Sequence, residues 1–293
     1  MGARRAGQDG RLRGGGALTR ILGVDFTSAP RGAKPIIVAS GTLDATVLVI
    51  ETVESIDTFD AFDALLHRPG PWVGGFDFPF GLPRELVVAM KWPRRWPALV
   101  RHYASLPRDE IAARFAAFRA ARPAGGKYAH RRGDAASGAH ASMKLVNPPV
   151  GWMLRAGAPR LLAAGLHLPG LHAGDRSRVA LEAYPGLLMR RIAASTGLGS
   201  APSYKNDVVS KQTRAQRDAR AFLLAAMRDG AHALALPIVL PERVARNAIE
   251  DGTGDTLDAI AAAVQAAWGA LRAGENFGLP ADVDPVEGWI VTA

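Results

Sequence analysis

The sequence predicts an α/β protein in which a mixed β-sheet is flanked by helices. Three short apolar segments separated by turn residues follow one another after the N-terminal residues, as in an antiparallel meander. A segment with apolar residues at helical spacing comes next, and a further apolar strand follows it. The order strand, strand, strand, helix, strand indicates a mixed sheet rather than a helical bundle or an all-β sandwich.

The first half of the chain supplies these elements in order. The predicted elements are strands over residues 21–27, 34–39 and 46–53, a helix over 58–66 and a strand over 73–77. Asp57 or Thr58 is expected to cap the helix. Pro79 and Gly81 end the last of these strands and leave Asp77 at its carboxyl end.

Residues 84–178 interrupt the strand pattern and form a predicted insertion that is basic and mostly helix and loop. Predicted helices cover residues 86–90, 111–121 and 159–164. Residues 143–154 predict a rigid turn that leads into a helix. Residues 122–141 show no period, and we interpret them as a mobile loop or a lid.

The strand pattern resumes after the insertion. The predicted elements are a strand over residues 179–184, helices over 187–196, 213–227, 241–249 and 254–271, and a final edge strand over 287–291. We expect one domain over residues 20–293. Residues 1–19, rich in glycine and arginine, are predicted to be a disordered basic arm outside it.

Composition narrows the class of protein. The chain has no cysteine, which excludes disulfides and thiolate metal sites. No apolar run approaches the roughly 20 residues of a membrane-spanning helix, and the arginine-rich start lacks the apolar segment of a secretory signal. We therefore expect a cytoplasmic protein with no membrane partner. Its frequent alanine and arginine are typical of a GC-rich bacterial genome.

The distribution of charge predicts an anionic partner. The chain carries a net charge of +9, and residues 84–178 hold 17 lysines and arginines against 5 aspartates and glutamates. Such a concentration favours nucleic acid or phosphate as the ligand. A solvated basic surface without a partner is the alternative interpretation.

Five acids stand at ends of predicted strands or at the start of the last helix: Asp25, Asp77, Glu182, Asp255 and Asp258. A charge in an apolar strand is costly unless it is paired or bound. We expect these acids to meet around a metal, with Asp25, Asp77, Glu182 and Asp258 as ligands. Oxygen ligands favour Mg²⁺ or Mn²⁺. Two such ions can activate a water and stabilise the leaving oxygen of a phosphodiester.

Each acid also has a structural alternative. Asp255 and Asp258 both suit the positive N-terminal end of a helix. Asp25 can accept hydrogen bonds from the turn that follows it. Asp77 and Glu182 can each be buried acids paired with arginine.

Several well-known catalytic motifs are absent from the sequence. It contains no Gly-x-x-x-x-Gly-Lys-Ser/Thr phosphate loop, no Gly-x-Ser-x-Gly elbow and no His-Glu-x-x-His pair. The seven histidines show no spacing typical of metal ligands. The acids therefore remain the best candidates for chemistry.

Eight segments resemble those of a known family: Gly23-Val-Asp-Phe-Thr, Gly75-Phe-Asp-Phe-Pro-Phe-Gly-Leu-Pro, Asn147-Pro-Pro-Val-Gly-Trp, Leu181-Glu-Ala-Tyr-Pro-Gly, Tyr204-Lys, Gln212-Thr-Arg, Gly254-Asp-Thr-Leu-Asp-Ala and Glu287-Gly-Trp-Ile. Together they resemble the DUF429 family, described as predicted nucleases of the ribonuclease H-like fold. An acid on the first strand, another on the fourth and an acid-bearing last helix are the pattern of that fold. The resemblance covers about residues 20–293.

The resemblance implies roles for four of the acids. Asp25 corresponds to the central acid that bridges metal, and Asp77 to the ligand on the fourth strand. Asp258 or Asp255 corresponds to the acid of the last helix. These assignments agree with the metal site inferred from the residues themselves.

Other residues correspond less directly. The fold usually takes one glutamate from its first helix, which here offers Asp60 and Asp63. We prefer Glu182 because it lies in an apolar strand. The residues expected to bind substrate phosphates are Tyr204, Lys205, Arg214, Lys144, Arg131 and Arg132.

The expected function is that of a metal-dependent nuclease that hydrolyses phosphodiester bonds of nucleic acid. One alternative is an actin-like ATPase or sugar kinase, but the C-terminal half lacks the second glycine-rich loop and adenosine motif these need. Another is a non-catalytic nucleic-acid-binding protein, whose affinity would fall steeply with salt and ignore magnesium. The sequence does not distinguish DNA from RNA and leaves a small phosphorylated substrate open.

Overall fold

A computed structural model describes residues 18–198 and 200–293. The predicted basic arm therefore lies outside the described residues, apart from its last two. Of these, Thr19 already belongs to the first strand. None of the described helices is both long enough and apolar enough to cross a membrane.

The described strands form one seven-stranded mixed sheet, ordered β5-β6-β4-β1-β2-β3-β7. They are β1 Thr19–Asp25, β2 Ile36–Leu43, β3 Leu48–Ile56, β4 Trp72–Asp77, β5 Leu166–His167, β6 Asp175–Glu182 and β7 Ile238–Val239. The pairs β1–β2 and β2–β3 are antiparallel, as the meander predicts. The pairs β1–β4, β4–β6, β5–β6 and β3–β7 are parallel. The predicted mixed α/β architecture is confirmed.

Ten α-helices cover the two faces of this sheet in the described chain. They are α1 Phe59–Leu66, α2 Arg84–Ala89, α3 Trp96–Ser105, α4 Arg108–Ala120, α5 Arg132–Ser137, α6 Val150–Ala163, α7 Pro185–Ser195, α8 Arg214–Arg228, α9 Glu242–Glu250 and α10 Asp255–Ala270. A 3₁₀ turn at Val209–Lys211 lies between α7 and α8, and a kinked 3₁₀ segment at Ala273–Gly278 follows α10. Thr58 caps α1 through its hydroxyl, one of the two predicted caps.

Several elements differ from the predictions. The sequence pattern does not predict α3, because its start lies among prolines (Pro93 and Pro97) that usually mark turns. The short elements β5, α5 and β7 are not predicted either. The final edge strand over residues 287–291 is wrong, since only Ile290 makes a bridge there, with Glu182. The stretch 122–141 is irregular except for α5, whose first turn is buried.

The alternation of side chains along the strands divides the core into two layers. On one face, Val24 and Phe76 pack with α1 and with the helices of residues 84–163. On the other face, Ile21 and Val73 pack with α7, α8, α9 and α10. The predicted insertion thus supplies the helical layer of one face, and its β5 extends the sheet at the edge.

Helix α10 lies directly on the two central strands because both carry a glycine at the crossing. Gly23 and Gly75 are neighbours in the parallel β1–β4 register. A Cβ on Gly23 would overlap the carbonyl oxygen of Ala259, and one on Gly75 would overlap that of Ala262. No larger residue fits between helix and strand, so these glycines set how closely the start of α10 approaches the strand ends.

A cluster of acidic residues as the candidate active site

Asp25 and Asp77 lie side by side at one edge of the sheet. They are the last residues of β1 and β4 and are direct partners in the parallel register. Parallel partners direct their side chains to the same face of a sheet, which here is the face covered by α10. Carboxyl ends of parallel strands are the usual position of sites in α/β folds.

The N-terminus of α10 brings two more acids to this edge. Asp255 is the first residue of the helix, and Asp258 follows on the same face with only 1 % of its surface exposed. Helix capping was the alternative role for Asp255 and Asp258, but Asp251 is the residue that caps the start of α10. Its carboxylate accepts hydrogen bonds from the Thr256 amide at 2.9 Å and the Thr253 hydroxyl at 2.6 Å.

Tyr204 and Lys205 contact the cluster through Asp258. The Tyr204 hydroxyl donates to Asp258 Oδ1 at 2.7 Å, and Lys205 Nζ lies 2.5 Å from Oδ2. Arg220 donates to the Tyr204 carbonyl, and Gln216 donates to the Lys205 carbonyl, so α8 fixes the backbone of this pair. Two of the predicted phosphate-binding residues are therefore part of the acid cluster itself.

Glu182 lies beside this cluster but points to the other face of the sheet. Its register partner is Phe76, one residue before Asp77. Its carboxylate accepts two hydrogen bonds from Arg131, at 2.5 and 2.7 Å, and one from the Phe80 amide at 2.9 Å. Both oxygens of Glu182 therefore accept hydrogen bonds, as expected if this acid is paired with an arginine. This pairing leaves Glu182 poorly suited to the predicted role of metal ligand.

Arg131 is a structural residue rather than the predicted phosphate contact. Only 1 % of it is exposed, and its guanidinium contacts Glu182, Asp134 and the Glu287 carbonyl. Arg131 directly precedes the short helix α5, which Asp134 anchors through a hydrogen bond from the Arg131 amide. Arg131 also lines the cavity described below, but a buried guanidinium held by two carboxylates is poorly placed to bind a phosphate.

The remaining predicted phosphate contacts do not line the cavity described below. Arg214 has 93 % of its side chain exposed and lies 3.9 Å from Asp218. Arg132 pairs with the exposed Asp282. Lys144 is half-buried and also stands apart from the acids. In α1, Asp63 pairs with Arg160 and Asp60 is exposed, so neither reaches the cluster.

Sequence reasoning missed two residues with roles near the site. Lys34, in the segment between β1 and β2, lines the same cavity as the acids. Glu287 accepts hydrogen bonds from the amides of Arg84 and Arg132, the first residues of α2 and α5. The segment Glu287-Gly-Trp-Ile belongs to the family resemblance, but it does not indicate this role. A carboxylate that binds the first amides of two helices far away in sequence leaves no local pattern.

The acids open into a cavity of about 740 Å³ between the two helical layers. Asp25, Asp77, Asp255 and Asp258 line it together with Lys205. Other parts of its wall come from residues 147–150 of the helical layer and from residues 184–186 at the start of α7. A volume of this size lies within the range of about 300–1,000 Å³ that small-molecule sites occupy.

Burial and mutual repulsion make it unfavourable to ionise the aspartates of the cluster. Burial raises the pKa of Asp25 well above its usual value, and the charges of Asp255, Asp258 and Asp77 raise it further. Burial likewise raises the pKa of Asp77 to about 8, with Asp258 the next cause. Burial and the neighbouring Asp251 and Asp258 raise the pKa of Asp255. The Asp258 charge raises the pKa of Lys205, which is therefore a cation.

The donors fit a hard divalent cation at Asp25 and Asp77. No hydrogen bond from a described residue contributes to the environment of either carboxylate, so both have free lone pairs. Within residues 18–198 and 200–293, no three acidic or histidine side chains converge closely enough to hold a metal by themselves. Mg²⁺ commonly binds through one or two carboxylates and retains waters or substrate oxygens, which suits this pair.

The raised pKa of Asp77 predicts a pH-dependent stability in the absence of divalent cations. A folded-state pKa near 8 against an ordinary value of 3.8 means that folding favours the protonated acid. Its contribution is complete below about pH 4 and is lost as pH rises to about 8. Asp77→Asn should therefore gain unfolding free energy relative to wild type across this range, measured by urea denaturation with a chelator.

Asp44→Asn is the control for that experiment. The Thr46 and Val47 amides lower the pKa of Asp44, so its replacement should destabilise the protein above pH 4. An Asp77→Asn effect that stays constant between pH 4 and pH 8 would contradict the account of the cluster.

Because Arg131 is buried in its ion pairs and Arg132 is exposed, replacing each of them should change the free energy of unfolding by very different amounts. Arg131→Met leaves Glu182 and Asp134 buried without a counter-charge, and should lower the free energy of unfolding by about 3–5 kcal/mol. Arg132→Met removes an exposed pair, and should cost about 0–1 kcal/mol. Urea denaturation of both variants measures the difference, and equal effects would show that the Arg131 network is not as buried as described.

Comparison with known proteins identifies a family for the chain. A family model described as "Protein of unknown function (DUF429)" matches residues 23–284. No curated protein and no solved structure matched the chain. The match spans the strands and helices that carry all five predicted acids, and it confirms the membership predicted from the sequence motifs. The chain therefore belongs to the DUF429 family.

Proposed function

We propose that the acid cluster is the catalytic site of a metal-dependent hydrolase that cleaves phosphodiester bonds in nucleic acid. The observation that carries this proposal is the pair of Asp25 and Asp77, adjacent in register at the edge of a cavity. Within the part of the chain that the structure describes, their carboxylates accept no hydrogen bond, and their pKa values are raised. Two buried acids that repel each other destabilise the fold when no cation is bound, and such acids with raised pKa values are typical of functional sites.

The topology supports a ribonuclease H-like fold as the framework of this site. The antiparallel strands β1 to β3, the helix α1 and the parallel strand β4 follow the order expected for that fold. The first and fourth strands each end in an acid, and the last long helix begins with two. This is the arrangement that the sequence resemblance implies.

Asp25 and Asp77 would hold Mg²⁺ or Mn²⁺. A bound divalent ion would supply positive charge to activate a water and to stabilise the leaving oxygen. Asp255 lines the same cavity with a raised pKa, which places it to accept a proton from the attacking water. Tyr204 and Lys205 hold Asp258 in place beneath these groups.

A small phosphate ester is a second candidate substrate, and the shape of the cavity favours it. The acids share a bounded space with residues from the helical layer and from the start of α7. A duplex would have to approach this space from outside, whereas a strand end or a single nucleotide could enter it. The net charge of +9 favours nucleic acid as the larger ligand.

Hydrolysis assays on the full chain test the proposal. Single-stranded and duplex DNA, single-stranded RNA, a bis-aryl phosphodiester and ATP, each with Mg²⁺ or Mn²⁺ and with chelator, separate the substrate classes. Asp25→Asn and Asp77→Asn should each lower the rate by at least about 100-fold, because each removes a ligand worth several kcal/mol of transition-state stabilisation.

Asp60→Asn is the matched control, since it changes an exposed aspartate of α1 outside the cavity. Its rate should equal that of wild type. Hydrolysis that needs no divalent cation, or that survives both cluster substitutions, would refute the proposed function.

A further inference from the structure

We propose that the ammonium group of Lys205 is a built-in cation of the acid cluster, so that the site takes one divalent ion where two would be expected. This inference rests on the proposed function, because it concerns the same four acids. It changes the role of Lys205 from a phosphate contact to a counter-ion. The single ion would lie at Asp25 and Asp77.

The first argument is a difference between Asp258 and the pair formed by Asp25 and Asp77. Asp258 is 1 % exposed and has a donor on each oxygen, Tyr204 on Oδ1 and Lys205 on Oδ2. Asp25 and Asp77 line the cavity and accept no hydrogen bond from a side chain or amide of residues 18–198 and 200–293. A metal at Asp258 would compete with Lys205 for that carboxylate, whereas at Asp25 and Asp77 it meets no such competitor among the described residues.

The second argument is that Gly254 leaves the space in which Lys205 packs against the start of α10. Gly254, the residue before the helix, has a φ of +79°, and a Cβ there would lie 2.8 Å from Lys205 Cβ. Only glycine combines that backbone conformation with room for the lysine stem. Gln216 holds the Lys205 carbonyl from α8 at 3.1 Å.

The third argument is charge. The charge of Lys205 opposes the repulsion at Asp25, at Asp77 and at Asp255 alike, and Lys34 adds to it at Asp255. Lys205 therefore supplies to these acids part of the positive charge that a second divalent ion supplies in a two-metal site. An ammonium is a compact point charge, and here it is fixed 2.5 Å from Asp258 Oδ2.

Counting bound Mn²⁺ by electron paramagnetic resonance tests this inference on the metal-stripped full chain. Wild type should bind one Mn²⁺, and Asp25→Asn should lose it. Lys205→Met should bind two, because Asp258 is released for a second ion. Lys211→Met, a lysine of the same segment outside the cavity, should bind one.

Two ions in wild type would overturn the inference while leaving the proposed hydrolase intact. One ion of unchanged affinity in Lys205→Met would overturn it equally. No ion in wild type, together with no cation-dependent hydrolysis, would remove the proposed function itself. Lys205→Arg keeps the charge and should bind one ion like wild type. If Lys205→Met does not fold, the wild-type count of one ion or two still decides the inference.

Discussion

The close contact between α10 and the two central strands is the constraint on which the site depends. Gly23 and Gly75 have no side chain at the crossing, so the helix backbone approaches both strands closely there. Because the strands end where the helix begins, Asp25 and Asp77 meet Asp255 and Asp258. The packing that stabilises the core thus brings these acids together, and their repulsion is relieved either by protonation, as the raised pKa values indicate, or by a cation.

The two faces of the sheet handle buried acids in opposite ways. On the face of the basic helical layer, Arg131 neutralises Glu182 and Asp134 with short hydrogen bonds and almost no exposure. On the α10 face, four acids line a cavity together with Lys205 and Lys34, and of these two lysines Lys205 pairs with Asp258. Removing a partner from the first set leaves a buried charge unpaired. The second set has capacity left for a ligand, which is why the proposed chemistry belongs there.

Much of this was readable from the sequence, and the parts that were not have physical reasons. Asp25 and Asp77 stood out because an acid at the end of an apolar strand is informative without knowledge of its neighbours. The face of Glu182 depends on register, and a shift of one residue reverses it. Its partner Arg131 lies 51 residues away in a stretch without periodicity, so no local pattern reports the pair. The Tyr204-Lys segment made Lys205 a candidate, but its hydrogen bond to Asp258 is visible only in the folded structure.

Anomalous diffraction from crystals soaked in Mn²⁺ tests the central claim most directly, because it locates the cation among the four acids. The account predicts one peak within bonding distance of Asp25 and Asp77, with Lys205 still paired to Asp258. A peak on Asp258 with Lys205 displaced, or no peak at the cluster at millimolar Mn²⁺, would contradict it.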